Sequence, residues 1–248
     1  MLRHVRENDG FIGPVALKPS KLGNGLGCFT TRDVAFDEML FIVPAPLQIS
    51  GPTALACPTC GPGFRADGVE PTCAIAGFMA CMLLTDCPLH APYLRTLPFE
   101  PDASHVLWWS DAEVALLDGS SAHAEACELR AQAQRAIQAA LRNAPLRCAV
   151  QAAVRHAARD YDTDLSDADI DAQLADAVRG ACCCIFSRAF GVKDARHGRE
   201  MVRPTDVRAR DHTCSTLREA DKRYRLDVSR VRFPCSICSS TTAPRTRR

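Results

Sequence analysis

Three groups of residues in this 248-residue chain have types and spacings that suit chemistry. Gly23, Gly25 and Gly27 lie inside Leu22–Pro44, LGNGLGCFTTRDVAFDEMLFIVP, between apolar segments. Glycine adopts positive φ without cost and, lacking a Cβ, lets a ligand approach the backbone closely. The same turn also serves a plain tight hairpin. The second group is a pair of C-x-x-C sequences, Cys57-Pro58-Thr59-Cys60 and Cys235-Ser236-Ile237-Cys238. Two such pairs can supply a tetrahedral Cys₄ zinc site. Here 174 residues separate them, and Cys73 is a third thiol near the first pair with no fourth beside it. The reading is therefore loop thiols and small core residues, with no metal. The third group comprises seven histidines, none in an H-x-x-x-H or H-E-x-x-H arrangement. Asp160 and Asp162, either side of Tyr161, read as a solvated loop.

The surrounding residues indicate what must hold the glycine turn. Cys28–Thr31 and Met39–Val43 have strand composition and are joined by the polar stretch Arg32 to Glu38. Residues 10–50 as a whole are strand-rich. Residues 51–72 carry Gly51, Pro52, Pro58, Gly61, Pro62, Gly63, Gly68 and Pro71, which predict a loop. From Thr72 the pattern turns helical, and Ala74 to Leu84 is apolar all round, as a buried helix would be. Ser110 and Glu113 have capping-box spacing ahead of Val114, Leu116 and Leu117. Leu129, Ala133, Ile137 and Leu141 recur at period four within 123–143, and Pro145 ends that helix. A further helix spans about Leu146 to Arg159. Ser166 and Asp169 cap another, whose inward face is Ile170, Leu174, Ala177, Val178, Ala181 and Ile185.

Composition sets bounds. Apolar content of 47% is enough for a core, and the net charge of +1 argues for no particular partner. The charge is unevenly spread: residues 1–191 hold 15 basic and 22 acidic side chains, while 192–248 hold 15 and 7. The last 57 residues are thus foreign in composition to the rest. This basic tail lacks aromatic interleaving, so no nucleic-acid partner is expected. No apolar run approaches the roughly 18 residues that span a bilayer, so no membrane is expected. Met1 to Glu7 lacks the apolar core of a secretory signal and is neither Ser-rich nor acid-free like a plastid leader. The expectation is an intracellular protein, cytoplasmic or nuclear, whose fourteen cysteines stay reduced.

The string from Gly23 onward resembles the opening of a SET domain, the fold of a large class of protein methyltransferases. Its likeness is to the split-SET branch, which includes the plant Rubisco large-subunit lysine methyltransferase and the actin-histidine methyltransferase. Further segments agree in the same order: Ala91 to Pro98, APYLRTLP; Trp109-Ser110-Asp111-Ala112-Glu113; Leu117-Asp118-Gly119-Ser120; and Ser187-Arg188-Ala189-Phe190. The resemblance covers residues 10 to 190. It implies an α+β fold, a SET-type β core interrupted by a mainly helical insertion and truncated at its C-terminal end. Residues 10–72 would form the N-terminal part of that core, 73–184 the insertion, and 185–191 the start of the C-terminal part. Residues 192–248 would be a divergent, poorly ordered basic tail.

The same resemblance implies the cofactor S-adenosylmethionine and a partner protein that presents a lysine or, as the weaker expectation, a histidine. Asn24, Gly25 and Leu26 would contact the cofactor through their backbone. Arg188 would meet the cofactor, and Ser187 with Arg188 the target side chain, so that both segments line one pocket. Trp108 and Trp109 would anchor the insertion. The family's next piece is an asparagine-histidine pair, followed further on by a tyrosine. This chain departs there: Pro204, Asp206, Asp211 and His212 are mis-spaced, the asparagine is absent, and Tyr224 sits among charges. No residue is therefore singled out as catalytic. The alternative reading is a truncated, inactive SET-derived interaction module.

Overall fold

A computed structural model of the chain describes residues 2–20, 26–159 and 165–188, together with the backbone of 191–194, 198–201 and 207–208. The elements run α1 (Leu2–Glu7), β1 (Phe11–Ile12), β2 (Val15–Pro19), β3 (Leu26–Thr30), β4 (Met39–Ile42), α2 (Gly51–Ala56), α3 (Gly61–Ala66), α4 (Pro71–Leu84) and α5 (Ala91–Leu94). They continue with α6 (Asp111–Ala115), α7 (Ser121–Arg142), α8 (Ala144–Arg159), α9 (Asp167–Arg188), β5 (Gly191–Asp194), β6 (Gly198–Met201) and β7 (Val207–Arg208). Contacts divide the chain into two units. One is Met1–Gly10 with Val43–Thr205, the other Phe11–Ile42 with Asp206–Arg248.

The larger unit is built around α4. Ten of its residues, Cys73 to Met82, are buried, as an all-round apolar sequence requires. It packs on α7, α9, α2 and α8, which cover it from several sides. The inward face read for α9 is largely as expected: Ile170, Leu174, Val178, Ala181 and Ile185 are buried, and Ala177 is half-buried. Gly180 lets α9 approach the backbone of Phe99, where a Cβ would stand 2.4 Å from the carbonyl oxygen. Arg147 Nε and Nη2 donate to the two carboxylate oxygens of Asp171 at 2.7 and 2.6 Å, clamping α8 to α9.

The helix ends follow the signals read from sequence. Ser110 Oγ accepts from Glu113 N–H, and Glu113 Oε2 accepts from Ser110 N–H at 2.7 Å, a complete capping box. Ser166 and Asp169 make the same reciprocal pair ahead of α9. In α6 only Val114 is buried, while Leu116 is 84% exposed. α7 stops at Arg142, before Pro145, and Pro145 lies in the first turn of α8. Asn143 makes the break between these helices.

The loop expected over 51–72 is corrected by two helices. Pro52, Pro62 and Pro71 each fall in the first turn of α2, α3 and α4. There the missing N–H is one that has no helical acceptor anyway, and the fixed φ suits the helix. Ser50 caps α2 by accepting from Thr53 N–H at 3.2 Å.

In the smaller unit β2 and β3 pair antiparallel, from Val15↔Thr30 to Pro19↔Leu26, so the glycine-bearing segment links two partnered strands. β4 pairs with β1 and, at Met39↔Arg208 and Phe41↔Val207, with β7. β3 and β4 are thus consecutive in sequence but belong to different ladders. Arg32 closes the connection between them, with Nη2 donating to Glu38 Oε1 at 2.6 Å. Glu38 Oε2 also accepts from Ala35 N–H at 2.8 Å. The hydrogen-bonded Arg32 guanidinium holds the Glu38 carboxyl below the usual carboxylate range.

Candidate functional site

Ser187 and Arg188 are the last two residues of α9. Ser187 Oγ donates back to the Cys183 carbonyl at 2.7 Å, the short-range bond a helical serine commonly makes. The same oxygen accepts from Arg188 Nη1 at 2.7 Å. Ser187 is half-buried and Arg188 exposed. The pair is therefore held at its own helix end.

The segment Ala91 to Pro98 packs beside this helix end. Cys184 Sγ donates to the Pro98 carbonyl at 3.6 Å. Burial pushes the Cys184 thiol up to about 11, with the Arg188 charge opposing. Tyr93, on α5, stands close enough to feel both groups. Burial raises its phenol, the Cys184 thiol adds to this, and the Arg188 guanidinium opposes it. Tyr93 is a site neighbour that sequence reasoning did not single out; it enters there only as a letter of the APYLRTLP string. Tyr224, the tyrosine considered there, lies outside the described residues, as do Pro204, Asp206, Asp211 and His212.

Asn24 and Gly25 also lie outside the described residues, and with them the expectation of a pocket shared with Ser187 and Arg188. Leu26 opens β3 with 69% of its surface exposed. Its backbone is engaged opposite Pro19 in the hairpin ladder.

The tryptophans fit the anchoring role. Arg179 of α9 lies 5.0 Å above the centre of the Trp108 ring, a favourable cation–π distance. Trp108 Nε1 faces the Cys183 thiol and has no conventional acceptor among the described residues. Burial nonetheless dominates Cys183, pushing it up to about 11. Trp109 Nε1 donates to the Ala103 carbonyl at 2.7 Å.

Cys57 and Cys60 flank the turn from α2 to α3, and Cys73 lies buried in α4. Among the described residues no three His, Cys, Asp or Glu side chains gather in a way that could hold a metal ion. Among the same residues no helix is long and apolar enough to cross a membrane.

No protein-family model matches the chain, and no curated protein matches it. A solved structure does: the crystal structure of the SET domain of LSMT bound to lysine and AdoHcy, at TM-score 0.56 and 17% identity. The match takes in 81% of this chain and 42% of that one, so this chain spans less than half the length of its neighbour. At that identity the likeness defines the fold: the chain has a SET-like, mixed helix-and-sheet architecture.

Proposed function

We propose that the chain binds S-adenosylmethionine and transfers its methyl group to a lysine side chain of another protein. A histidine is the less favoured acceptor. The observation that carries this reading is the SET-like fold, in a chain that also bears the glycine-rich string and the Ser-Arg pair. The neighbour's structure holds lysine and AdoHcy; the corresponding ligand classes are assigned here by proposal.

The chemistry asks little of the protein beyond placement. A sulfonium methyl is already activated, so holding donor and nucleophile in line supplies most of the effect. The attacking amine must be neutral, and a lysine with an ordinary pKa near 10.4 loses its proton most readily on desolvation. Asn24, Gly25 and Leu26 are assigned to the cofactor through backbone groups. The exposed Arg188 offers guanidinium donors suited to a carboxylate, and Ser187 Oγ accepts one of its N–H groups. An intracellular site of action belongs to the same proposal.

A second reading, an interaction module without catalysis, is favoured by one feature of the sequence: no asparagine follows Phe190. Titrating the full chain with S-adenosylmethionine in a calorimeter separates the two. The enzymatic reading expects one-site binding that is lost in Gly25→Val and in Arg188→Ala, and labelled methyl transfer to lysines of a protein lysate. Absence of binding heat sinks it, and binding without transfer to any protein favours the second.

A further inference from the structure

Methyl transfer makes no use of the first C-x-x-C sequence, yet the fold builds that sequence into a defined joint. Cys57 ends α2, its N–H donating to the Ala54 carbonyl at 3.3 Å. Cys60 stands at the start of α3. The Gly61 N–H donates to the Cys57 carbonyl at 2.9 Å, and the Phe64 N–H to the Cys60 carbonyl at 3.2 Å. The two residues thus sit three positions apart on one hydrogen-bonded backbone turn, and both carry free thiols. Their surroundings differ. Cys60 is fully buried and its thiol points at the Ala54 carbonyl, while Cys57 keeps 8% of its surface in solvent. The joint is also tied to the rest of the helical unit. Asn143 Nδ2 donates to the Cys60 carbonyl at 2.8 Å, and its Oδ1 accepts from Leu146 N–H at the start of α8.

We propose that Cys57 and Cys60 form a two-electron redox site that a hydroperoxide oxidises to an intramolecular disulfide. Cys57 is the attacking sulfur. Its thiolate takes the terminal peroxide oxygen, the O–O bond breaks, and the other oxygen leaves with a proton as water or alcohol. Cys57 is then a sulfenic acid. The Cys60 sulfur attacks it, the S–S bond forms, the S–O bond breaks, and water departs with the Cys60 proton. The two sulfurs give up two electrons in all and the peroxide accepts both. A thiol reductant returns the pair by exchange.

The division of roles follows from the electrostatics. The neighbouring Cys60 thiol is the largest influence on Cys57 and lowers it. Burial opposes it, and the N–H groups of Cys60, Thr59 and Gly61 add to it, so that Cys57 is held below the usual thiol range. Cys60 is raised, first by the Cys57 sulfur beside it and then by burial. Cys81, whose charge Cys60 feels, is fully buried and pushed up to about 12 by burial. It stays protonated and is no competitor as nucleophile.

The test uses the reduced full chain. Dilute hydrogen peroxide is expected to lower its intact mass by about 2 Da. Mapping after alkylation should join Cys57 to Cys60 before the exposed Cys127 and Cys148 react. In the untreated chain, Cys57 alkylation by iodoacetamide should rise by much less than tenfold per unit from pH 6 to 8, because its thiol is held below the usual range. An ordinary thiol gains about tenfold per unit over the same range. Cys60→Ser should stop the oxidation at a Cys57 sulfenic acid that dimedone traps. The proposal is overturned if peroxide reaches only Cys127 and Cys148, or if Cys57 alkylation climbs tenfold per unit. Both of these measurements are made on the unmutated chain, so they decide the matter even where Cys60→Ser fails to fold.

Discussion

Asn143 is the residue whose removal should cost the helical unit most for its size. Its side chain, 2% exposed, makes two bonds that no neighbour can replace. Oδ1 accepts from Leu146 N–H at 3.2 Å, capping α8, and Nδ2 donates to the Cys60 carbonyl at 2.8 Å across 83 residues. Losing an N-cap costs about 1 kcal/mol, with a range of roughly 0.5–2. The Cys60 carbonyl keeps its bond from Phe64 N–H, so the second loss is that of an ordinary bond, about 1 kcal/mol. Asn143→Ala should therefore destabilise by about 2–3 kcal/mol, and Asn143→Ser, which keeps a capping oxygen, should recover about 1 kcal/mol of it. Urea unfolding reads both as a lower midpoint at unchanged slope. The geometry also predicts coupling. A Cβ on Gly63 would stand 2.6–2.7 Å from Asn143 Cγ, Oδ1 and Nδ2. Gly63→Ala should be costly in the native background and markedly less so beside Asn143→Ala, a non-additivity of at least about 1 kcal/mol. Strict additivity, or an Asn143→Ala variant within about 0.5 kcal/mol of the parent, refutes the argument.

Two further outcomes follow from the same unit. In Gly180→Ala the new methyl would meet Phe99 O, Cα and C at 2.4, 2.9 and 3.0 Å, all backbone; α9 must shift, and thermal unfolding should show a loss of about 1–3 kcal/mol, whereas an unchanged melting curve contradicts the close approach. Burial first, and the nearby His4 ring second, hold the His90 imidazole below its usual range. The unfolded chain then binds the extra proton, so stability is intact above about pH 6.5 and falls as pH drops from there toward the depressed folded value. His90→Gln should make the decline of the urea midpoint between pH 7.5 and 5.5 shallower, and an identical decline in both proteins removes His90 as its source.

Much of the helical unit is legible in sequence because burial and capping are local signals. The apolar wrap of Ala74 to Leu84 declares a covered helix, and Ser110 with Glu113 and Ser166 with Asp169 declare where helices begin. The failures share a cause. Proline and glycine between 51 and 72 indicate interruption, but proline in a first turn interrupts nothing, so composition hides α2 and α3. Leu116 shows the converse: an apolar residue just past a cap promises burial only if something covers it. Periodicity marks a face but not its partner. That is why the nearness of Tyr93 to Arg188, 95 positions further on, cannot be read from the string. The Asn143 bond to Cys60, spanning 83 residues, is equally hidden.

The smaller unit holds itself together differently. Among its described residues only Val15 is buried, while Phe11, Leu26, Phe29 and Phe36 are 45%, 69%, 39% and 73% exposed. Its strands are two to five residues long, and a lone short hairpin in water is at best marginal. Main-chain ladders and the Arg32–Glu38 closure carry what apolar burial does not. Binding segments are commonly drawn from this low-stability end of a protein, because they must order around a ligand. A cofactor gripping only the ordered form would add RT ln(1 + [L]/Kd), about 2.7 kcal/mol at a hundredfold excess over Kd. Among described residues with so little apolar burial, that increment is a large one. If the proposed cofactor binds to this unit, its occupancy would then govern whether β2 and β3 stay paired.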